Sequence, residues 1–111
     1  MVSSISLLQS PAFFNRPDPA SSARAHKELT ILNRLGLHAR PSALFVKTCS
    51  RFKCDVWVEK DGERVNGKSI MGLMMLAAGQ GTKLLVTCEG ADSDKALAEV
   101  ETIILRKFDE D

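Results

Sequence analysis

Asp61–Gly62 lies between two short stretches that read as paired strands. Before it, Val56 and Val58 alternate with Asp55, Trp57 and Glu59; after it run Glu63 to Asn66. An Asp-Gly pair suits the tight turn whose twist matches two antiparallel strands. The spacing therefore predicts a hairpin of Cys54–Lys60 and Glu63–Asn66. A hairpin with one apolar face is not stable alone and needs further strands or helices against it. With 111 residues the chain has room for one domain and one core of modest size.

The remaining periodicities supply those layers. Glu28 to Leu32 alternates, with Leu29 and Ile31 on one face. Ala39 to about Phe52 reads as a helix, opened by Pro41 in its first turn. Ser69 is placed to cap a short helix over Ile70–Ala78, which Gly79 and Gly81 end. Thr82–Glu89 is a strand with Leu84, Val86 and Cys88 facing inward. Asp92, Ser93 and Asp94 open a last helix, whose Ala96, Leu97, Val100, Ile103 and Ile104 recur at helical spacing. The order is β-α-β-β-α-β-α. It predicts an α+β fold, an open-faced β-sandwich in which a four-stranded antiparallel sheet carries three helices on one face. Leu29, Ile31, Val56, Val58, Leu84 and Val86 are expected in the core, and Thr30, Trp57 and Thr87 toward solvent.

Composition removes several functional classes. A net charge of +1 is no electrostatic footprint for nucleic acid, and five Phe, one Trp and no Tyr make no base-stacking platform. No apolar run approaches a membrane span. Cys49, Cys54 and Cys88 are odd in number and lack paired spacing, so neither a disulfide framework nor a zinc site is expected. They read as small buried thiols in a reducing cytoplasm. Residues 1–27 differ from the rest: rich in Ser, Ala and Pro, broken by Pro11, Pro17 and Pro19, with Asp18 as the only acid. They read as a disordered extension ahead of a domain over 28–111, with His26 in the tail. A targeting segment, or a translation start nearer Lys27, is the other reading of this stretch.

The chemistry concentrates at Asn33–Arg34–Leu35–Gly36–Leu37–His38–Ala39–Arg40–Pro41. Here a strand runs through a Gly turn and delivers one histidine to a helix start. Free N–H groups of Ala39 and Arg40 there favour an anion, and the Arg40 guanidinium adds donors beside them. An imidazole so surrounded is equipped to accept and hold a phosphoryl group. The plain alternative is a histidine that merely caps the helix. No paired carboxylates, metal cluster or nucleotide loop accompany it, which disfavours a conventional small enzyme.

Two motifs at a set separation resemble a known family. Leu35–Gly36–Leu37–His38–Ala39–Arg40–Pro41 and Asn66–Gly67–Lys68–Ser69–Ile70–Met71–Gly72–Leu73, with Gly79–Gln80–Gly81–Thr82 and the order of elements, resemble the histidine-containing phosphocarrier (HPr) proteins of bacterial phosphotransferase systems. The resemblance covers about Glu28 to Phe108. Met74–Met75–Leu76–Ala77–Ala78 and Phe108–Asp109–Glu110–Asp111 resemble the nitrogen-related branch (NPr).

The resemblance implies a protein that relays phosphate without turning over a small molecule itself. His38 would be phosphorylated at Nδ1, accepting from a phosphoenolpyruvate-dependent enzyme I and donating to an enzyme IIA-type protein. Arg40, with the backbone of Ala39 and Arg40, would steady the phosphoryl group, and no metal or cofactor is needed. Ile70, Met71 and Met74 would form a docking face, extended by Ala43 and Lys47, while Leu73 and Leu76 turn to the core. Ser69 is a cap by spacing; by resemblance it is also a regulatory phosphorylation site for a serine kinase and phosphorylase. The carrier is expected to be a cytoplasmic monomer without nucleic-acid or membrane partners. The competing reading is a regulatory binding module that uses the same face without relaying phosphate.

Overall fold

The computed structural model describes residues 23–110. Its elements in chain order are β1 (Arg24–Thr30), α1 (Ala39–Ser50), β2 (Asp55–Lys60), β3 (Glu63–Asn66), α2 (Ile70–Met75), β4 (Lys83–Glu89) and α3 (Ser93–Leu105), closed by a 3-10 turn at Lys107–Asp109. The strands form one antiparallel sheet in the order β1-β4-β2-β3. This is the expected α+β open-faced sandwich.

The hairpin forms as its sequence dictates. Asp61 (φ 50°) and Gly62 (φ 83°) both take left-handed backbone, which an Asp-Gly turn accommodates. Val58 then pairs with Val65 on β3 and with Val86 on β4. The inner face of the sheet carries Leu29, Val56, Val58, Leu84, Val86 and Cys88, all buried. Phe45 and Cys49 of α1, Leu73 of α2, and Ala96, Val100 and Ile104 of α3 close over it in a single core. Burying six such strand side chains stabilises the fold by about 1.5–3 kcal/mol for each large one.

Four expectations need correction. β1 begins at Arg24 rather than Glu28, and His26 is a strand residue opposite Thr87, not part of a tail. Arg24–Lys27 shows no apolar alternation; it is held by its backbone ladder to Val86–Glu89 of β4, with Lys27 Nζ 2.7 Å from Glu101 of α3 and Arg24 Nε 3.5 Å from Glu89. The rest of the expected extension, residues 1–22, lies outside the described residues. Second, α2 stops at Met75 instead of Ala78, because Ala77 adopts φ 52° and turns the chain. Third, Thr87 is buried at 7% exposure although it sits on the outer sheet face. It lies on a central strand between His26 and Trp57, and those larger neighbours cover it. Fourth, Trp57 is only half-exposed, with the Arg64 guanidinium 4.5 Å from its ring centroid in a cation–π stack.

Candidate functional site

The loop after β1 is built around Gly36. Its φ is +70°, and a Cβ there would stand 2.2 Å from the carbonyl oxygen of Ala78. That close approach lets Leu37 N–H donate to Ala78 O at 2.9 Å, pinning the loop to the segment that follows α2. Leu37 is buried beside it, and Gly36 O accepts from His38 N–H at 3.0 Å. The chain therefore reaches α1 with His38 as its N-cap residue, in extended backbone (φ −79°, ψ −169°).

His38 caps by position only. Its carbonyl accepts the first intrahelical bond, from Ser42 N–H at 3.0 Å, but its side chain makes no capping bond. The ring is thus free of the duty that the plain reading assigned to it. Ala39 and Arg40 occupy the first turn, where N–H groups have no intrahelical acceptor, and no acidic residue stands in that turn.

Around the ring is a cleft of about 730 Å³ lined by Arg34, Leu35, His38, Arg40, Asp109 and Glu110. Arg34 and Arg40 are exposed, and among the described residues neither has an acidic partner. Two guanidiniums without acidic partners favour an anion beside them, while Asp109, paired with Arg106, and Glu110 bring carboxylates to the same cleft. The imidazole Nε2 is buried and faces Glu110 Oε2 at 3.2 Å. The pair lacks hydrogen-bond geometry, so the contact is a loose one. Glu110 Oε1 accepts from Asn33 Nδ2 at 3.1 Å, and the same Nδ2 donates to Gly36 O at 2.8 Å.

Asn33, Arg34 and Glu110 were not assigned to the site by sequence reasoning. Asn33 and Arg34 stand in the stretch it singled out, but an Asn before a Gly reads simply as turn chemistry. Glu110 stood in the ending that carries the resemblance but gave no sign of a place at His38, since a carboxylate 72 positions beyond it becomes its neighbour only through the fold.

Ser69 is the N-cap of α2, accepting from Gly72 N–H at 3.0 Å through its Oγ. Beyond it, Ile70, Met71 and Met74 are exposed, and with Met75 they line an apolar groove of about 510 Å³. Leu73 and Leu76 point to the core, as their spacing required. Ala43 and Lys47 lie exposed on α1, which packs beside α2. The structure therefore gathers His38, Arg34 and Arg40 in one cleft and leaves the methionines as a separate apolar surface on the next element.

The thiols are poor competitors for chemistry. Cys49, Cys54 and Cys88 are free and buried. Burial pushes Cys49 and Cys88 up to about 12, and raises Cys54 as well, so their nucleophilic thiolates are scarce near neutral pH. Among the described residues no group of three or more His, Cys, Asp or Glu is placed to hold a metal ion. No helix among them is long and apolar enough to cross a membrane.

Comparison with known proteins agrees with this geometry. Residues 25–105 match the family described as "PTS HPr component phosphorylation site". The phosphocarrier protein HPr of Neisseria meningitidis is 50% identical over 84 residues, covering 76% of this chain and 94% of its own. The crystal structure of HPr from Thermoanaerobacter tengcongensis superposes with a TM-score of 0.76 at 45% identity, covering 78% of this chain and 98% of that one. Crh of Bacillus subtilis, a catabolite-repression protein crystallised as an intertwined dimer, superposes with a TM-score of 0.62 at 46% identity, over 67% of this chain and 85% of its own. A histidine at a helix start, on this sheet order and with relatives so similar over the whole described domain, places the chain in the HPr family of phosphocarrier proteins of the bacterial phosphotransferase system.

Proposed function

We propose that the chain accepts a phosphoryl group on His38 from a phosphoenolpyruvate-dependent enzyme I and passes it to an enzyme IIA-type protein. The observation that carries this reading is the setting of His38. It is an uncapping imidazole at the start of α1, in a cleft whose free cations are Arg34 and Arg40. A neutral imidazole is nucleophilic near pH 7. Arg40 and the N–H groups of Ala39 and Arg40 neutralise the transferring group, as preorganised donors do in phosphoryl transfer. The phosphoramidate formed is reactive enough to be handed on. The carrier needs no cofactor of its own and turns over no small molecule.

Ile70, Met71 and Met74, joined by Met75, supply the docking surface, with Ala43 and Lys47 on its α1 side. Flexible thioethers suit a surface that must fit a donor and an acceptor in turn. A phosphate on Ser69, placed by a serine kinase and removed by a phosphorylase, would put about two negative charges beside that surface and oppose an incoming phosphoryl donor. The ending Phe108–Asp111 and the Met74–Ala78 run support the nitrogen-related branch. Free buried cysteines support a cytoplasmic location.

The test is intact mass after incubation with an enzyme I and phosphoenolpyruvate. Wild type is expected to gain one acid-labile phosphoryl group and His38→Ala none. Running nitrogen-branch and sugar-branch enzyme I in parallel assigns the branch. A folded wild type left unmodified by both overturns the relay. The similarity to Crh then favours the second reading, a regulatory module that binds through the same face.

A further inference from the structure

Building on the phosphocarrier reading, we propose that Glu110 is a positioning residue for His38: it holds the neutral ring with its proton on Nε2 and its lone pair on Nδ1. The carboxylate is anchored at one end and set against the ring at the other. Its Oε1 accepts from Asn33 Nδ2 at 3.1 Å, and its Oε2 faces His38 Nε2 at 3.2 Å. Asn33 is itself fully buried and also donates to Gly36 O, so the anchor belongs to the loop that delivers the histidine. Nε2 is shut away from solvent, and Glu110 is the polar group set against it among the described residues.

The chain goes to some length to bring this carboxylate in. Lys107 (φ 57°), Phe108 (φ 54°) and Asp109 (φ 60°) are three consecutive left-handed residues without a glycine. Such backbone is unfavourable for L-residues, and single visits are the rule. Phe108, buried in the core, and the bidentate Arg106–Asp109 pair hold the turn. Its effect is to reverse the chain after α3 and aim Glu110 at the start of α1.

A neutral imidazole has one N–H and one lone pair. An ionised carboxylate only accepts, so the nitrogen facing it gains by carrying the proton. Nδ1 is then the nucleophile. Its electron pair forms the new N–P bond as the N–P bond of a phosphoimidazolium donor breaks, and the donor ring leaves as neutral imidazole with that electron pair. His38 becomes the cation, its proton still on Nε2 and opposite Glu110. No proton has to leave His38 for transfer to occur.

The experiment uses the full chain, nitrogen-15 labelled, at a pH where the ring is neutral. Imidazole nitrogen shifts report the tautomer, and enzyme I charged by phosphoenolpyruvate reports turnover. Wild type is expected mainly as the Nε2–H form. Glu110→Ala should raise the Nδ1–H share and lower kcat about three- to tenfold, the size expected from losing one such contact, with KM for the carrier little changed. Glu110→Gln, whose amide oxygen still accepts, should keep the tautomer and fall between the two in rate. A wild type mainly in the Nδ1–H form, or an Ala variant with unchanged tautomer or unchanged kcat, overturns the proposal. If no donor phosphorylates wild type, the carrier reading itself fails; the nitrogen spectrum still shows separately whether Glu110 sets the tautomer.

Discussion

At the scale of single residues, Gly36 carries the heaviest constraint. Any side chain there meets both a left-handed φ and the Ala78 carbonyl 2.2 Å away. Gly36→Ala is expected to cost about 3 kcal/mol and to displace His38. Urea unfolding measures the first effect and phosphorylation rate the second. The buried thiols give a second check. In the folded protein Cys49, Cys54 and Cys88 should resist iodoacetamide near neutral pH, because their thiolates are suppressed and their sulfurs covered. All three should be alkylated in denaturant, and rapid native labelling of any one would contradict their burial.

At the scale of elements, two tethers decide where the helices end up. Asp92, at the N-cap of α3, accepts from Lys53 N–H at 2.9 Å and Cys54 N–H at 3.0 Å. These bonds, Lys53's foremost, hold its carboxyl below the usual carboxylate range. A lowered folded value means the contribution is complete above the unfolded value, about 3.9, and fades as pH falls through the folded one. Asp92→Ala should therefore unfold at lower temperature than wild type at neutral pH, and the gap should shrink below about pH 4. A gap that persists undiminished in acid would rule out the carboxylate as its source. The second tether is Phe108, which is buried although it follows the end of α3. Phe108→Ala is expected to lose about 3–4 kcal/mol and to free the turn that carries Glu110.

At the scale of the whole molecule, one core supports two surfaces with different tasks. The cleft sets the exposed guanidiniums of Arg34 and Arg40 beside Asp109 and Glu110, and its loop is tied through Gly36 and Leu37 to Ala78, just after α2; the methionine groove is apolar and borne by that six-residue helix. The groove consists of exposed, flexible side chains, so it can adjust to partners by rotamer changes while the His38 loop keeps its backbone contacts. The whole fold also has an alkaline limit. Cys49 and Cys88 are held neutral in the folded state up to about 12, whereas they ionise near 8.5 when unfolded. Above the unfolded value the denatured chain releases protons that the native one retains, so stability should fall from about pH 8.5 toward 12. Cys49→Ser or Cys88→Ser pairs with wild type in alkaline melts would show that slope reduced.

Local pattern was enough for most of the architecture. Period-two apolar runs placed β2 and β4, the Asp-Gly pair placed the turn and with it the returning β3, and Ser69 and Pro41 placed two helix starts. Each of these is set by residues within a turn or two of one another, so the chain displays them without its fold. His38 and Arg40 were legible for the same reason, sitting together in one nine-residue stretch. The first four residues of β1 were not, because they are held by pairing with Val86–Glu89 of β4, far along the chain, and carry no alternation of their own. Nor was the burial of Thr87, which depends on cross-strand neighbours, or the early end of α2, which depends on how Ala77 turns toward the His38 loop. Glu110 belongs with these. Proximity across 72 positions is a property of packing, and only the tertiary structure could bring that carboxylate to the buried nitrogen of the histidine.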